Sequence, residues 1–306
     1  MKTKLRFSPQ LWVILSALPF FVPNPARCDQ AFSLAEITAR ASQGDPDAEF
    51  LLGRAYSRGE GVPHDDAQAI EWYKKSAAGG NAKAQNNLAG AYLNGRGVPK
   101  NEAEAVKLYR KSADKGAALA EDSLGQLYAH GVGVPQDNRQ AVEWYKKAAE
   151  QGFVEAQVHL SEILYFGTND LPKDLPEAAK WIAKAAEQGN AWAQNTLGAI
   201  YENGFGLAKD LKQATHWYQQ AAEQGDAKGE SNLARLYIGG QDGEQRWVKA
   251  YAWLSLSKAQ GEVTADKLWE SYGPHFTPDV VVEGNRLAEG YRQQIRNKKN
   301  FQNAEQ

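Results

Sequence analysis

The chain has almost no cysteine: Cys28 is the single one in 306 residues. No internal disulfide can form, so the fold must be held by packing alone. Histidine is scarce as well. His64, His130, His159, His216 and His275 show no His-Glu-x-x-His or other ligand spacing, and without cysteine partners they predict no metal site. These histidines read as surface or supporting residues. Gly-x-Ser-x-Gly is absent, and Cys28 lies too near a cleavage region to serve as a nucleophile. No catalytic residue and no cofactor is expected. Long apolar runs are also lacking, apart from Leu11 to Val22, which follows Lys2, Lys4 and Arg6. That run is too short to span a bilayer comfortably and is broken by Pro19, with Pro23 and Pro25 after it.

Residues 1–28 therefore read as a bacterial export signal. Cleavage is expected after Cys28, through Ala26-Arg27-Cys28, or after Ala26. Arg27 stands where a lipoprotein signal has a small residue, which argues against lipidation. The expected location is periplasmic or secreted, with no integral membrane span after cleavage. An uncleaved N-terminal anchor in the inner membrane is the alternative.

Charge of one sign is not in excess: 35 Lys and Arg face 37 Asp and Glu. Removing Lys2, Lys4, Arg6 and Arg27 with the signal leaves 31 basic against 37 acidic groups, a net of −6. A nucleic acid or an anionic membrane would need a basic stripe, so neither is expected as the main partner.

What the chain has is one motif six times. The closing glycines Gly44, Gly80, Gly116, Gly152, Gly189, Gly225 and Gly261 are spaced 36 residues apart, with one interval of 37. The extra residue lies in Gly167-Thr168-Asn169-Asp170-Leu171-Pro172. The first half of each unit carries Ala48/Leu52/Tyr56, Ala84/Leu88/Tyr92, Ala120/Leu124/Tyr128, Ala156/Leu160/Leu164, Ala193/Leu197/Tyr201 and Leu233/Tyr237. Positions four apart share a helical face. Small residues such as Ala48 and Gly53 let a second helix come close. Gly59 and Gly61 end the first helix, and Pro63 cannot extend it.

The second helix is expected to open on a capping box: Asp65/Gln68, Asn101/Glu104, Asp137/Gln140, Asp174/Glu177 and Asp210/Gln213. Trp72, Trp144, Trp181, Trp217 and Trp253 then recur, with Leu108 in that place in the second unit. Their period marks them as core rather than as ligand platforms. Glycine pairs such as Gly95-Arg96-Gly97 follow a helix, not a strand, and read as turns rather than phosphate loops. The sixth unit departs from the pattern, with Arg246 and Lys249 at the box positions and Gly239-Gly240-Gln241-Asp242-Gly243 as its loop.

About ten positions per unit agree in register. On them the chain resembles the Sel-one-like repeat (SLR) family, relatives of the tetratricopeptide repeats, over residues 32 to 296. The resemblance implies an all-α fold: a right-handed α/α superhelical solenoid of six helix-turn-helix repeats with N- and C-terminal capping helices. The expected organisation is a capping helix over 29–43, repeats at 44–79, 80–115, 116–151, 152–188, 189–224 and 225–261, capping helices over 262–296, and a frayed tail over 297–306. Such an array is one quasi-linear domain. Some cysteine-rich, disulfide-stapled members of the family have been linked to β-lactam binding. That activity is not carried over to a chain with a single cysteine.

In the tetratricopeptide relatives the first helix of each unit lines a concave groove. The resemblance carries that role to Phe50, Arg54, Asn86, Leu119, Gln126, Val158, Glu162, Tyr165, Phe166, Trp192 and Asn195. Leu119, Val158, Tyr165, Phe166 and Trp192 gather in the middle of the array as an apolar patch rimmed by charge, a peptide site with Trp192 as anchor or as packing against its neighbour repeat. Asn86, Asn94, Asn195 and Asn203 offer amides to an extended backbone, with a helix-end role for Asn94 and Asn203 as the alternative. The expected function is an exported monomeric scaffold or adaptor that binds a protein or peptide in this groove. Two alternatives use the same scaffold: a secreted host-interaction factor, and a cell-wall hydrolase built on Glu155, Glu162 and Glu202 beside Tyr165.

Overall fold

A computed structural model of the chain describes residues 32–240 and 244–304. The expected export signal and loop residues 241–243 lie outside them. Among the described residues all regular structure is helical, the all-α solenoid of helix pairs that the repeats call for. Two compact units are defined, up to Ala117 and from Ala118, where the period suggests one domain. A solenoid makes only neighbour contacts, so compactness need not run its whole length.

The first unit holds α1 (Leu34–Ser42), α2 (Pro46–Arg58), α3 (Asp66–Ala78), α4 (Ala82–Asn94) and α5 (Glu102–Ala113). Each helix packs on the next. The second unit holds α6 (Ala118–His130), α7 (Asn138–Glu150), α8 (Val154–Phe166), α9 (Leu175–Glu187), α10 (Ala191–Asn203), α11 (Leu211–Ala222), α12 (Ala227–Gly239), α13 (Glu244–Ala259), α14 (Val263–Tyr272) and α15 (Pro278–Ala304). Helices α6 to α13 pack in sequence, and α13 carries α14 and α15 on its far side. The last helix, α15, runs to Ala304.

Helix starts follow the expected polar residues. Asp65, Asn101, Asp137, Asp174 and Asp210 each accept from the backbone N–H three residues on. This is the forward half of the capping box. At α9 the other half fails for a visible reason: Glu177 turns to accept from Trp181 Nε1 at 2.8 Å. The complete two-way box forms at Ser33 and Glu36, before α1.

Where a Trp-Tyr pair occurs, the tyrosine is the more deeply placed of the two. Tyr73, Tyr145 and Tyr218 are buried, whereas Trp72, Trp144 and Trp217 are only half-buried. The tyrosine ring lies against the glycine of the Leu-Gly pair on the first helix. A Cβ on Gly53 would stand 2.7 Å from Tyr73 Cδ1, and one on Gly198 2.7 Å from Tyr218 Cδ1. Gly125 meets Tyr145 in the same way. Where the second helix carries a smaller residue, Ile182 or Leu254, the first helix has Ser161 or Ala234 at the matching register. Tryptophan at 72 and 144 instead lies at the hairpin's rim, its ring covered by Lys75 Nζ at 4.0 Å and Lys147 Nζ at 3.9 Å. The expectation of fully buried tryptophan holds at Trp181 and Trp253, which are 3% and 2% exposed.

One more register runs through the hairpins and is polar. Gln157 and Gln194, both buried, follow the alanines that begin the first-helix core. Each donates to a carbonyl at the end of the preceding helix, Ala149 O at 3.2 Å and Ala186 O at 3.1 Å. Each accepts from a glutamine that closes its own repeat, Gln188 at 2.8 Å and Gln224 at 2.7 Å. Such bonds between buried amides stitch one hairpin to the next, contributing about 1 kcal/mol each. The C-terminal end is sealed by aromatic packing, with Trp253 and Tyr291 stacked at 4.0 Å.

Candidate partner-binding surface

The expected groove residues divide between the units and are described within each. In the first unit Phe50 is half-buried and tilts against Tyr73 at 6.0 Å. Arg54 lies 3.9 Å from Glu60. Asn86 is 7% exposed, and its buried Oδ1 has no hydrogen-bond partner. An amide so deep is not placed to clamp a ligand backbone.

In the second unit the first helices α6, α8, α10 and α12 carry the remaining positions. Two pairs cross from one first helix to the next at a separation of 37 residues. Asp122 Oδ1 meets His159 Nδ1 at 2.8 Å, and Asn232 Nδ2 donates to Asn195 Oδ1 at 2.9 Å. A third rung joins Arg235 to Glu202 by a two-nitrogen fork, both distances 2.6 Å, with Tyr218 Oη donating to the same carboxylate at 2.8 Å. Asn195 was expected to hold a peptide backbone. It is buried and spends its oxygen on Asn232 instead, because the neighbouring helix is the closer partner. Asn94 and Asn203 turn back on their own helices, donating to Gly90 O and Ala199 O. That is the helix-end role.

Gln126 Nε2 donates to Asp122 Oδ2 at 2.8 Å, so both oxygens of this buried carboxylate are engaged. His159, read from sequence as a surface or supporting histidine, is 26% exposed and also touches the Tyr145 ring at 5.2 Å. Burial disfavours its charged form. The Asp122 carboxylate, with Glu162 and Glu155 behind it, outweighs that and raises its pKa. A raised folded-state pKa adds stability that is complete below about 6.5, the unfolded value, and fades as pH rises through the folded one. A histidine NMR titration should therefore show His159 protonating above the ordinary range, and Asp122→Asn should lower it. An unmoved His159 would contradict the pairing. Glu162 is pushed upward by burial, with His159 partly offsetting it.

The apolar residues form two groups. Val158 and Trp192 each pack against the core that includes Leu197 and Ile200, the neighbour-packing role. Tyr165 and Phe166 meet edge-on at 5.1 Å, and Phe205, in the loop after α10, meets Tyr165 at 6.1 Å. Phe166 is 42% exposed. Leu119 is half-buried near the start of α6. Phe205 was not anticipated. Its signal is an aromatic at a loop position that holds Glu60, Arg96 and Val132 in other units. Among the described residues no three His, Cys, Asp or Glu side chains gather to hold a metal ion. No described helix is long and apolar enough to cross a membrane.

The Sel1 repeat family matches at residues 46–81, 82–116, 118–153, 154–190, 193–226 and 227–262. The chain belongs to the Sel1 repeat family. It is 32% identical to a Sel1 repeat protein from Oxalobacter formigenes of known structure, covering 73% of this chain and 89% of that one with a TM-score of 0.62. It is 33% identical to a protective antigen present in uropathogenic Escherichia coli strains that displays an SLR fold. That likeness covers 87% of this chain and 64% of the antigen, with a TM-score of 0.47. Curated proteins give no match. The repeats form a scaffold of the kind that serves protein–protein interaction.

Proposed function

We propose that this chain is an exported, non-enzymatic adaptor that binds a protein segment on the first-helix face of residues 118–304. The observation that carries the reading is the ring cluster of Tyr165, Phe166 and Phe205, with Phe166 42% exposed. Aromatic rings held in place at a surface lose little entropy on binding and anchor interfaces well. Trp192, partly buried against the core of α9 and α10, is read here as support for this face rather than as the main anchor. Export to the periplasm or beyond follows from the apolar segment after Lys2, Lys4 and Arg6. The hydrolase reading needs two carboxyl groups with separated roles. Glu202 is held by Arg235 and Tyr218, so its carboxylate serves the scaffold.

The test is affinity capture of partners from the native envelope by the chain beginning at Asp29, repeated with Phe166→Ala. The captured protein should fall at least about tenfold, as loss of an interface anchor does. The melting midpoint should move by no more than about 4 °C, since a partly exposed ring contributes about 1 kcal/mol. Undiminished capture by the variant would remove this face from the proposal.

A further inference from the structure

The polar register of Gln157 and Gln194 carries an acid in other repeats: Glu49, Glu121 and, last and most buried, Glu230. Glu230 occupies the place in the repeat after that of Gln194, directly after Gly229 where the glutamines follow Ala156 and Ala193. It keeps half of the pattern: Gln260 Nε2 donates to Glu230 Oε2 at 2.9 Å, as Gln224 does to Gln194. The other half concerns the carbonyl eight residues back. Gln194 donates to Ala186 O, at the end of α9, which also accepts from Gly189 N at 3.0 Å. The counterpart for Glu230 is Ala222 O, at the end of α11, which accepts from Gly225 N at 2.8 Å. Glu230 is 1% exposed. By that register, an ionised carboxylate would meet the carbonyl with lone pairs only, whereas a protonated one has a donor to offer.

We propose that Glu230 is kept as a neutral carboxylic acid near neutral pH. Its O–H takes the place of the glutamine amide toward Ala222 O, so the last repeat is a proton-dependent rung that loosens as pH rises. The groups around it favour this state. Burial raises its pKa to about 8; Gln260 opposes that, the Asp226 carboxylate at the start of α12 adds to it, and Lys299 of α15 opposes it. Asp226 is itself raised by burial; its bond from Gly229 N and nearby Lys228 pull the other way, and Glu262 at the start of α14 pushes it up. On α13, Lys258 is taken by Asp266 at 2.7 Å. The consequence reaches the C-terminal helix, because Ile295 and Lys299 of α15 rest on Gly225 in the α11–α12 turn.

The sign follows from linkage. The group's contribution is complete below about 4.3, the unfolded value, and is lost as pH rises through about 8. Denaturant unfolding of the chain and of Glu230→Gln should be compared from about pH 5 to pH 9. The folding constant of the variant relative to the parent should grow by about tenfold per pH unit and level off above about pH 8. A ratio that does not change with pH overturns the proposal. So does a slope that survives in Glu230→Gln and vanishes in Asp226→Asn. A carbon-13 titration of the glutamate carboxyls in the unmodified chain decides the matter without any variant. One carboxyl titrating far above the rest is the expected result; all of them titrating in the ordinary range would contradict it.

Discussion

Replacing Gly198 by alanine should destabilise the chain by about 2 kcal/mol, although alanine is the better helix former by about 1 kcal/mol. The added methyl would lie 2.7 Å from Tyr218 Cδ1 and 2.8 Å from Cε1. Tyr218 cannot retreat. It is 1% exposed, and its hydroxyl is tied to Glu202, which Arg235 grips with two bonds. Overpacking is costly when neither partner can relax. Gly290 of α15 provides the control, because nothing lies within 4 Å of a Cβ built there. Gly290→Ala should stabilise by about 0.5–1 kcal/mol through propensity alone. Chemical denaturation of both variants reads the two signs directly. A stabilising Gly198→Ala would mean that the tyrosine does not press on the first helix.

Glu202→Ala should cost about 3 kcal/mol. The carboxylate is 17% exposed and serves three donors: two from Arg235 and one from Tyr218. Burial alone would raise its pKa, but the Arg235 guanidinium outweighs that and holds it below the usual carboxylate range. Removing it leaves a half-buried cation and a buried phenol unpaired, which is the expensive way to break such a network. Replacing both partners, as Glu202→Leu with Arg235→Met, should recover most of the loss, since well-packed apolar pairs can substitute for an ion pair. A double-mutant cycle measures the coupling. If Glu202→Ala is neutral, the rung does not hold α10 to α12.

The pattern of the hairpins was legible because every unit repeats the same demands. Ala48, Leu52 and Asp65 predict a helix face and a helix start, and the glycine pairs predict the break between helices. Two things were not legible. A 36-residue period says that Trp72 and Tyr73 both recur, but adjacent residues point about 100° apart, and only one can sit in the hairpin seam. The tyrosine takes it because the facing residue is Gly53, a pairing visible in the sequence once the 20-residue offset between Gly53 and Tyr73 is compared across units. The groove was the harder case. Asp122, His159, Asn195 and Asn232 look like polar surface positions when each repeat is read alone. They become internal rungs when one repeat is laid on the next, because partners about 37 residues apart stand side by side. Asn195, proposed as a ligand clamp, is thereby part of the scaffold.

The central claim is that a partner lies on the first helices of residues 118–304. Hydrogen–deuterium exchange of the chain, free and with its captured partner, tests it most directly. Added protection should fall on the ends of α8 and α10, around Tyr165, Phe166 and Phe205, and leave α7, α9 and α11 unchanged. Protection concentrated on those second helices would place the partner on the opposite face and contradict the account.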